Sequence, residues 1–74
     1  MSPKEAKKII KKEKLAVNWF NKHNLRPFEM VINKNKDGRY QVYGTGERAN
    51  IWGIAATFEN EEEALDNLIS RARL

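Results

Sequence analysis

The sequence predicts an α+β fold in which a helix is followed by three strands and a second helix. Three observations support this order. Apolar residues recur at helical spacing near the start, three extended runs follow, and a second amphipathic segment begins at Asn60. The 74 residues suit a single domain, residues 1–74. A three-stranded antiparallel sheet with both helices on one face is the simplest arrangement, and it leaves the other face open to solvent.

The first helix is predicted to begin at Pro3 and to end around residues 22–24. Ser2 stands where it can cap the free amides, and a proline suits the first turn. One face of this helix is apolar and carries Ala6, Ile9, Ile10, Ala16, Val17 and Phe20. Glu13 falls within that face, and a lone buried charge costs several kcal/mol. The pattern therefore requires either a bend near Lys14 or a basic partner for Glu13.

Three strands are predicted at residues 28–34, 39–45 and 51–58. Residues 35–38 read Asn-Lys-Asp-Gly, which predicts a tight turn between the first two strands. In the second strand, Tyr43 is expected on the solvent face. In the third strand, one face is predicted to carry Trp52, Ile54, Ala56 and Phe58, with Trp52 in the core.

The last helix is predicted to begin after Asn60 with a block of negative charge formed by Glu61, Glu62 and Glu63. Carboxylates in a first helical turn are favoured by the helix dipole. The buried stripe is expected to contain Ala64, Leu65, Leu68, Ile69 and Ala72. Because a helix N-terminus is also a natural phosphate site, the acidic block argues against phosphate binding at this position.

The charge of the chain is unevenly distributed. Residues 1–48 carry 12 basic and 5 acidic residues, whereas residues 49–74 carry 2 basic and 5 acidic residues, for a total of +4. The positive side of the first helix consists of Lys4, Lys7, Lys8, Lys11 and Lys12, followed by Lys14. The positive field of such a surface accelerates encounter with an acidic protein or with nucleic acid.

No catalytic constellation is present in the sequence. The chain has no cysteine, and its one histidine, His23, is expected at a helix end beside a lysine. The acidic residues of the last helix lack the spacing of a calcium loop. We therefore expect no enzyme activity, no cofactor and no metal site. The sequence also lacks a run of about 18 apolar residues, so we expect no membrane span. The absence of cysteine fits a reducing cytosol, and we expect a cytoplasmic location.

Two DNA- or RNA-binding folds have a similar order of elements. The order resembles the double-stranded RNA-binding domain, but Glu61, Glu62 and Glu63 stand where that family has lysines that contact phosphates. Residues 37–43 and 58–64 also resemble the arm-binding domain of phage-type integrases. That resemblance implies DNA binding through the exposed sheet face, with an affinity that falls steeply with salt.

A further resemblance spans most of the chain. Residues 38–43, 47–49 and 58–65, together with residues 7–10 and 13–15, are similar to the immunity protein 59 family of small bacterial toxin-neutralising proteins. The resemblance implies a non-enzymatic cytoplasmic inhibitor that binds and occludes a protein partner, most simply a toxin. An inhibitor of host defence carried by a phage or mobile element is an alternative.

Two surfaces are candidates for contact with such a partner. The first candidate set comprises Tyr43, Glu47, Arg48, Glu61, Glu62 and Glu63. The alternative is the basic surface formed by Lys4, Lys7, Lys8, Lys11 and Lys12. Anchor residues with complementary charge would give either surface specificity.

Overall fold

Two helices and four strands build the protein. A computed structural model describes the backbone of residues 1–74 and every side chain except that of Ile54, whose predicted orientation lies outside the described residues. The elements are α1 (Pro3–Glu13), β1 (Val17–Trp19), β2 (Met30–Lys34), β3 (Tyr40–Thr45), β4 (Ile51–Phe58) and α2 (Glu61–Ala72). The sheet order is β1-β2-β3-β4, with β1 parallel to β2 and the other neighbours antiparallel. The α+β class is confirmed, but the prediction of three antiparallel strands is wrong, because a fourth, parallel strand is present.

The extra strand arises where the first helix was predicted to continue. α1 begins at Pro3 as predicted, but it ends at Glu13 because Lys14 adopts the left-handed conformation with φ 53°. The following residues include β-branched Val17 and aromatic Trp19, which favour strand pairing over helix. They form β1 beside β2, so the predicted helix end at residues 22–24 is wrong.

Glu13 has the basic partner that its position requires. Its carboxylate accepts hydrogen bonds from Nε and Nη2 of Arg73, at 2.9 and 2.5 Å. This bond lowers the pKa of Glu13 and raises the pKa of Arg73. The ion pair joins the end of α1 to the end of α2 on the protein surface.

The β2–β3 hairpin sets which residues face the helices. The turn forms as predicted, with Gly38 at φ +87°, a conformation that a side chain would strain. The register pairs Ile32 with Val42 and Val31 with Tyr43. Because successive residues of a strand point to opposite faces, the first pair faces the helices and the second pair faces away.

The main core lies between α2 and the sheet. Asn60 caps α2 as predicted, since its Oδ1 accepts a 2.8 Å hydrogen bond from the N–H of Glu63. The buried stripe is confirmed for Ala64, Leu65, Leu68 and Ile69, whereas Ala72 is only half-buried. These residues share one cluster with Ile32, Val42 and Ala6 of α1. α1 packs beside α2, and both helices therefore contribute to the same core.

The opposite face of the sheet is covered over part of its area. Val31 and Asn18 are fully buried there, and Tyr43 is only 6% exposed. Asn18 donates through Nδ2 to the carbonyl oxygen of His23 at 2.9 Å and to Oε2 of Glu29 at 3.3 Å. The connection between β1 and β2 thus folds over this face. The expectation that the face is open and that Tyr43 is exposed is wrong.

The cap of α2 gives a first testable prediction. Replacing Asn60 with alanine should lower the free energy of unfolding by about 1 kcal/mol, because the N–H of Glu63 loses its acceptor. Urea denaturation would measure this loss. Ser70→Ala, at an exposed position within the same helix, is the control and should change stability little. An equal effect of the two substitutions would contradict the capping role.

Candidate functional site

The structure does not bring the first candidate set together. Tyr43 is buried, and burial, followed by the charge of Glu29, raises the pKa of its hydroxyl. Glu47 and Arg48 are exposed in the turn before β4. The acidic block follows the other end of β4, roughly 25 Å away for an eight-residue strand. A single small contact therefore cannot use all of the predicted residues.

The acidic start of α2 is largely a solvated helix cap. Glu62 and Glu63 are exposed, and Glu61 is half-buried. One turn on, Asp66 Oδ1 lies 2.7 Å from the amino nitrogen of Met1, and this hydrogen bond raises the pKa of that amino group. Among the described side chains, no group of three or more acidic or histidine residues is placed to hold a metal ion.

The lysine face of α1 forms a second charged surface. All five lysines of the alternative set are exposed. Lys7 Nζ lies 5.3 Å from the centre of the Trp19 ring, a distance typical of a cation–π contact. The lysine face remains a candidate for attracting an acidic partner over long range, and salt would weaken this attraction by screening it.

Two large aromatic side chains outside the predicted contact sets are exposed. Phe28 and Trp52 each expose 70% of their surface. The prediction that Trp52 lies in the core is therefore wrong. The predicted first strand, residues 28–34, is also too long, because β2 begins only at Met30 and leaves Phe28 outside it. The two rings line a shared depression with a cavity of about 490 Å³ and an adjoining one of about 290 Å³. We call this depression the aromatic cleft; its lining includes Phe28, Met30, Gly44, Trp52, Arg71 and Leu74.

Small residues around Trp52 explain why it is not covered. Trp52 pairs with Gly44 across the β3–β4 ladder, so no side chain stands opposite the indole. At Gly46, a Cβ atom would approach Trp52 Cε3 to 3.3 Å. α2 ends nearby at Ala72, which lines the cleft with only a methyl group. The ring therefore lies against backbone on one side and faces solvent on the other.

Phe28 is exposed but held in place by the backbone around it. Its φ of 54° lies in the left-handed region, which costs a residue other than glycine roughly 1–2 kcal/mol. Its N–H donates to the carbonyl oxygen of Gly46 at 3.3 Å. On either side, the Thr45 hydroxyl donates to the carbonyl oxygen of Arg26 at 2.6 Å and accepts from the N–H of Glu29 at 2.9 Å. These bonds fix the segment that presents the ring.

Glu29 is the buried polar centre behind Phe28. Its carboxylate accepts hydrogen bonds from the N–H of Arg26 and from Nε2 of His23, both at 2.9 Å, besides the bond from Asn18. A carboxylate only accepts, so Nε2 of His23 carries the proton. Burial raises the pKa of Glu29, but the hydrogen bonds from His23, Arg26 and Asn18 outweigh it, and the pKa is lowered overall.

Charged residues line the aromatic cleft or neighbour its lining residues in the chain. Arg26 and Arg48 are exposed, and neither forms an ion pair with another described side chain. Arg71 lines the cleft and donates to the carbonyl oxygen of Val42 at 3.4 Å. Glu47 lines the adjoining cavity. Of the predicted contact residues, Glu47 thus lines the cavity that adjoins the aromatic cleft, and Arg48 follows it in the chain.

A sequence signal for the cleft exists only in part. The glycines at positions 44 and 46 indicate places where a ring can lie directly on backbone. No local sequence pattern distinguishes an exposed tryptophan in a strand from a buried one.

The two helices also bear on whether the chain could cross a membrane. Neither helix of the described chain has the length and apolar composition that a membrane span requires.

Comparison with known proteins gives one match. The model of the family described as immunity protein 59 matches residues 4–73, nearly the whole chain. The resemblance stated from the sequence is thereby confirmed. Neither the curated proteins nor the solved structures include a significant match.

Proposed function

The chain belongs to the immunity protein 59 family, and on this premise we propose that it is a non-enzymatic inhibitor that binds a protein toxin and occludes its active surface. The family match over residues 4–73 is the observation that carries the proposal. We place this activity in the cytoplasm, where an immunity protein protects the cell that produces the toxin.

The physical properties of the chain support inhibition by binding. An inhibitor of this kind needs a preformed surface with a few anchor residues and complementary charge. The aromatic cleft offers anchors held by buried hydrogen bonds, and the lysine face of α1 offers a positive field. Neither feature requires the protein to carry out chemistry on the toxin.

The contact residues proposed from the sequence divide between different surfaces. Glu47 and Arg48 belong with the aromatic cleft, whereas Glu61–Glu63 and the lysine face are separate candidates. Tyr43 is buried and supports the fold instead. A phage-borne inhibitor of host defence would use the same binding chemistry against a different protein.

DNA binding of the integrase arm-binding type is a weaker alternative. It relies on an exposed sheet face, but Val31 and Tyr43 on that face are buried. The lysine face of α1 would then have to contact the phosphates. The structure therefore favours a protein partner.

Co-expression tests the proposed function. The reading frame immediately upstream should encode a toxin domain; expression of that domain should stop growth of a bacterial host, and this chain should restore growth. The two purified proteins should form a complex that isothermal titration calorimetry detects. If this chain neither restores growth nor binds that toxin domain, but binds duplex DNA with an affinity that falls steeply between 50 and 200 mM salt, the DNA alternative replaces the proposal.

A further inference from the structure

We infer that the aromatic cleft is the surface that binds the toxin, and that it takes an apolar side chain of the toxin flanked by a carboxylate. This inference rests on the proposed function and adds to it the place of contact and the chemistry of the bound segment. Three observations carry it: the exposure of the two rings, the way Phe28 is held, and the charges around the cleft.

Among the described aromatic residues, only Phe28 and Trp52 expose most of their surface. The two rings line the same depression, and each exposes 70% of its surface. Clustered exposed apolar side chains mark interaction sites, whereas single ones do not. Tryptophan and arginine are also the residue types enriched where alanine substitution weakens binding most. The cleft therefore has the composition of a binding anchor site.

The backbone at Phe28 is arranged to present the ring. A left-handed conformation is unfavourable for phenylalanine, yet bonds to Gly46 and the Thr45 bridge hold it there. Folding stability alone would favour asparagine or glycine at such a position. The ring also leaves most of its apolar surface exposed, and a partner can cover that surface. Because the ring is already fixed, binding loses little conformational entropy.

The charges around the cleft determine the chemistry of the occupant. Arg26 lies two residues before Phe28, and Arg48 directly follows Glu47; neither has an ion-pair partner among the described side chains. Arg71 lines the cleft itself and adds positive charge there. Of the two acidic side chains in the lining, Glu29 is buried and already accepts bonds from Asn18, His23 and Arg26, so that Glu47 is the one that opposes these charges. Arginine binds carboxylates through paired hydrogen bonds, so an acidic group beside an apolar side chain fits this surface.

The other two surfaces lack such an anchor. No large apolar side chain on the lysine face of α1 is exposed, because Ile9 and Ile10 are half-buried and face the core cluster. The acidic start of α2 has no exposed aromatic residue, and Asp66 beside it already binds the amino group of Met1. These surfaces contribute to encounter through charge, whereas the aromatic cleft supplies the close contact.

Two substitutions in the cleft test the inference against the toxin domain encoded by the neighbouring reading frame. Trp52→Ala removes the indole, and Phe28→Asn removes the ring while placing a residue that tolerates the left-handed backbone. Each should weaken the Kd by at least about 30-fold. Phe28→Asn should keep or raise the Tm, which separates loss of binding from loss of folding.

Matched charge changes test the acidic group on the toxin. Arg48→Glu should weaken binding by about tenfold, mainly through slower association. Arg39→Glu is the control, because it makes the same change in net charge at the β2–β3 hairpin, at the opposite end of β3. Lys8→Ala with Lys12→Ala, and Glu62→Gln with Glu63→Gln, should each change the Kd by less than about threefold.

The results distinguish this inference from the proposed function. A wild-type chain that does not bind the toxin overturns both. If the wild type binds and both cleft variants bind equally well, the cleft is not the contact surface, although the inhibitor function stands. Loss of binding in the lysine or glutamate variants alone would move the contact to that surface. If Arg48→Glu and Arg39→Glu weaken the Kd equally, the inference that the toxin places an acidic group beside the cleft is wrong.

Discussion

Replacing Glu29 with alanine should lower the free energy of unfolding by roughly 3–5 kcal/mol at neutral pH. The substitution leaves the donors of Asn18, His23 and Arg26 without their acceptor in a buried site. A domain of this length has a total stability of roughly 4–11 kcal/mol, so the variant should be close to unfolding. The midpoint of urea denaturation would measure the effect. A shift equivalent to less than 1 kcal/mol would show that the network contributes little.

The ionisation of Glu29 adds a pH dependence to this prediction. The pKa of Glu29 is lowered in the folded protein, so its contribution is present above the unfolded pKa of about 4.5 and is lost as the pH falls through the folded pKa. Stability should therefore decrease below about pH 5. Glu29→Gln should flatten this decrease. A weaker dependence of stability on pH should persist in this variant, because Arg73 lowers the pKa of Glu13 in the same way. If stability decreases with pH in Glu29→Gln as steeply as in the wild type, Glu29 is not the cause of the decrease.

Replacing Thr45 with valine should lower the free energy of unfolding by roughly 2–3 kcal/mol. Valine has nearly the same shape, but it removes the hydroxyl that donates to the carbonyl oxygen of Arg26 and accepts from the N–H of Glu29. Both backbone groups then lose their partner in a site where Thr45 is almost fully buried. Thermal or urea unfolding would measure the loss.

A matched substitution separates the hydroxyl from the methyl group at this position. Thr45→Ser keeps the hydroxyl and should cost about 1 kcal/mol or less, since only one buried methyl group is lost. If the serine variant is as unstable as the valine variant, packing of the methyl group matters more than the bridge. Thr45 and Glu29 both lie behind Phe28, so the two predictions also test what holds the exposed ring in place.

The sequence predicted the elements whose signals are local. The cap at Ser2, the turn at residues 35–38, β4 and the buried stripe of α2 as far as Ile69 are present. Each of these features depends on residues within a few positions of one another. The family resemblance likewise needed only short motifs. These features could be read in advance because propensity and periodicity decide them without help from the rest of the fold.

The structure of the region from Lys14 to Glu29 could not be predicted from its local sequence. Ala16, Val17 and Phe20 continue the helical spacing of α1, but pairing with β2 stabilises an extended conformation instead. Tertiary contacts override helix propensity in such cases. One warning was visible in the sequence, since the misplaced Glu13 indicated a change near Lys14.

The sequence by itself determined the family, the α+β class and the N-caps of the two helices, Ser2 and Asn60. The tertiary structure alone decided that Tyr43 is buried, that Glu13 binds Arg73, and that Phe28 and Trp52 are exposed around one cleft. The physical reason is that exposure depends on what lies opposite a residue in space. Phe28 and Trp52 are 24 positions apart in the chain, and only the β3–β4 pairing and the end of α2 place them beside the same depression.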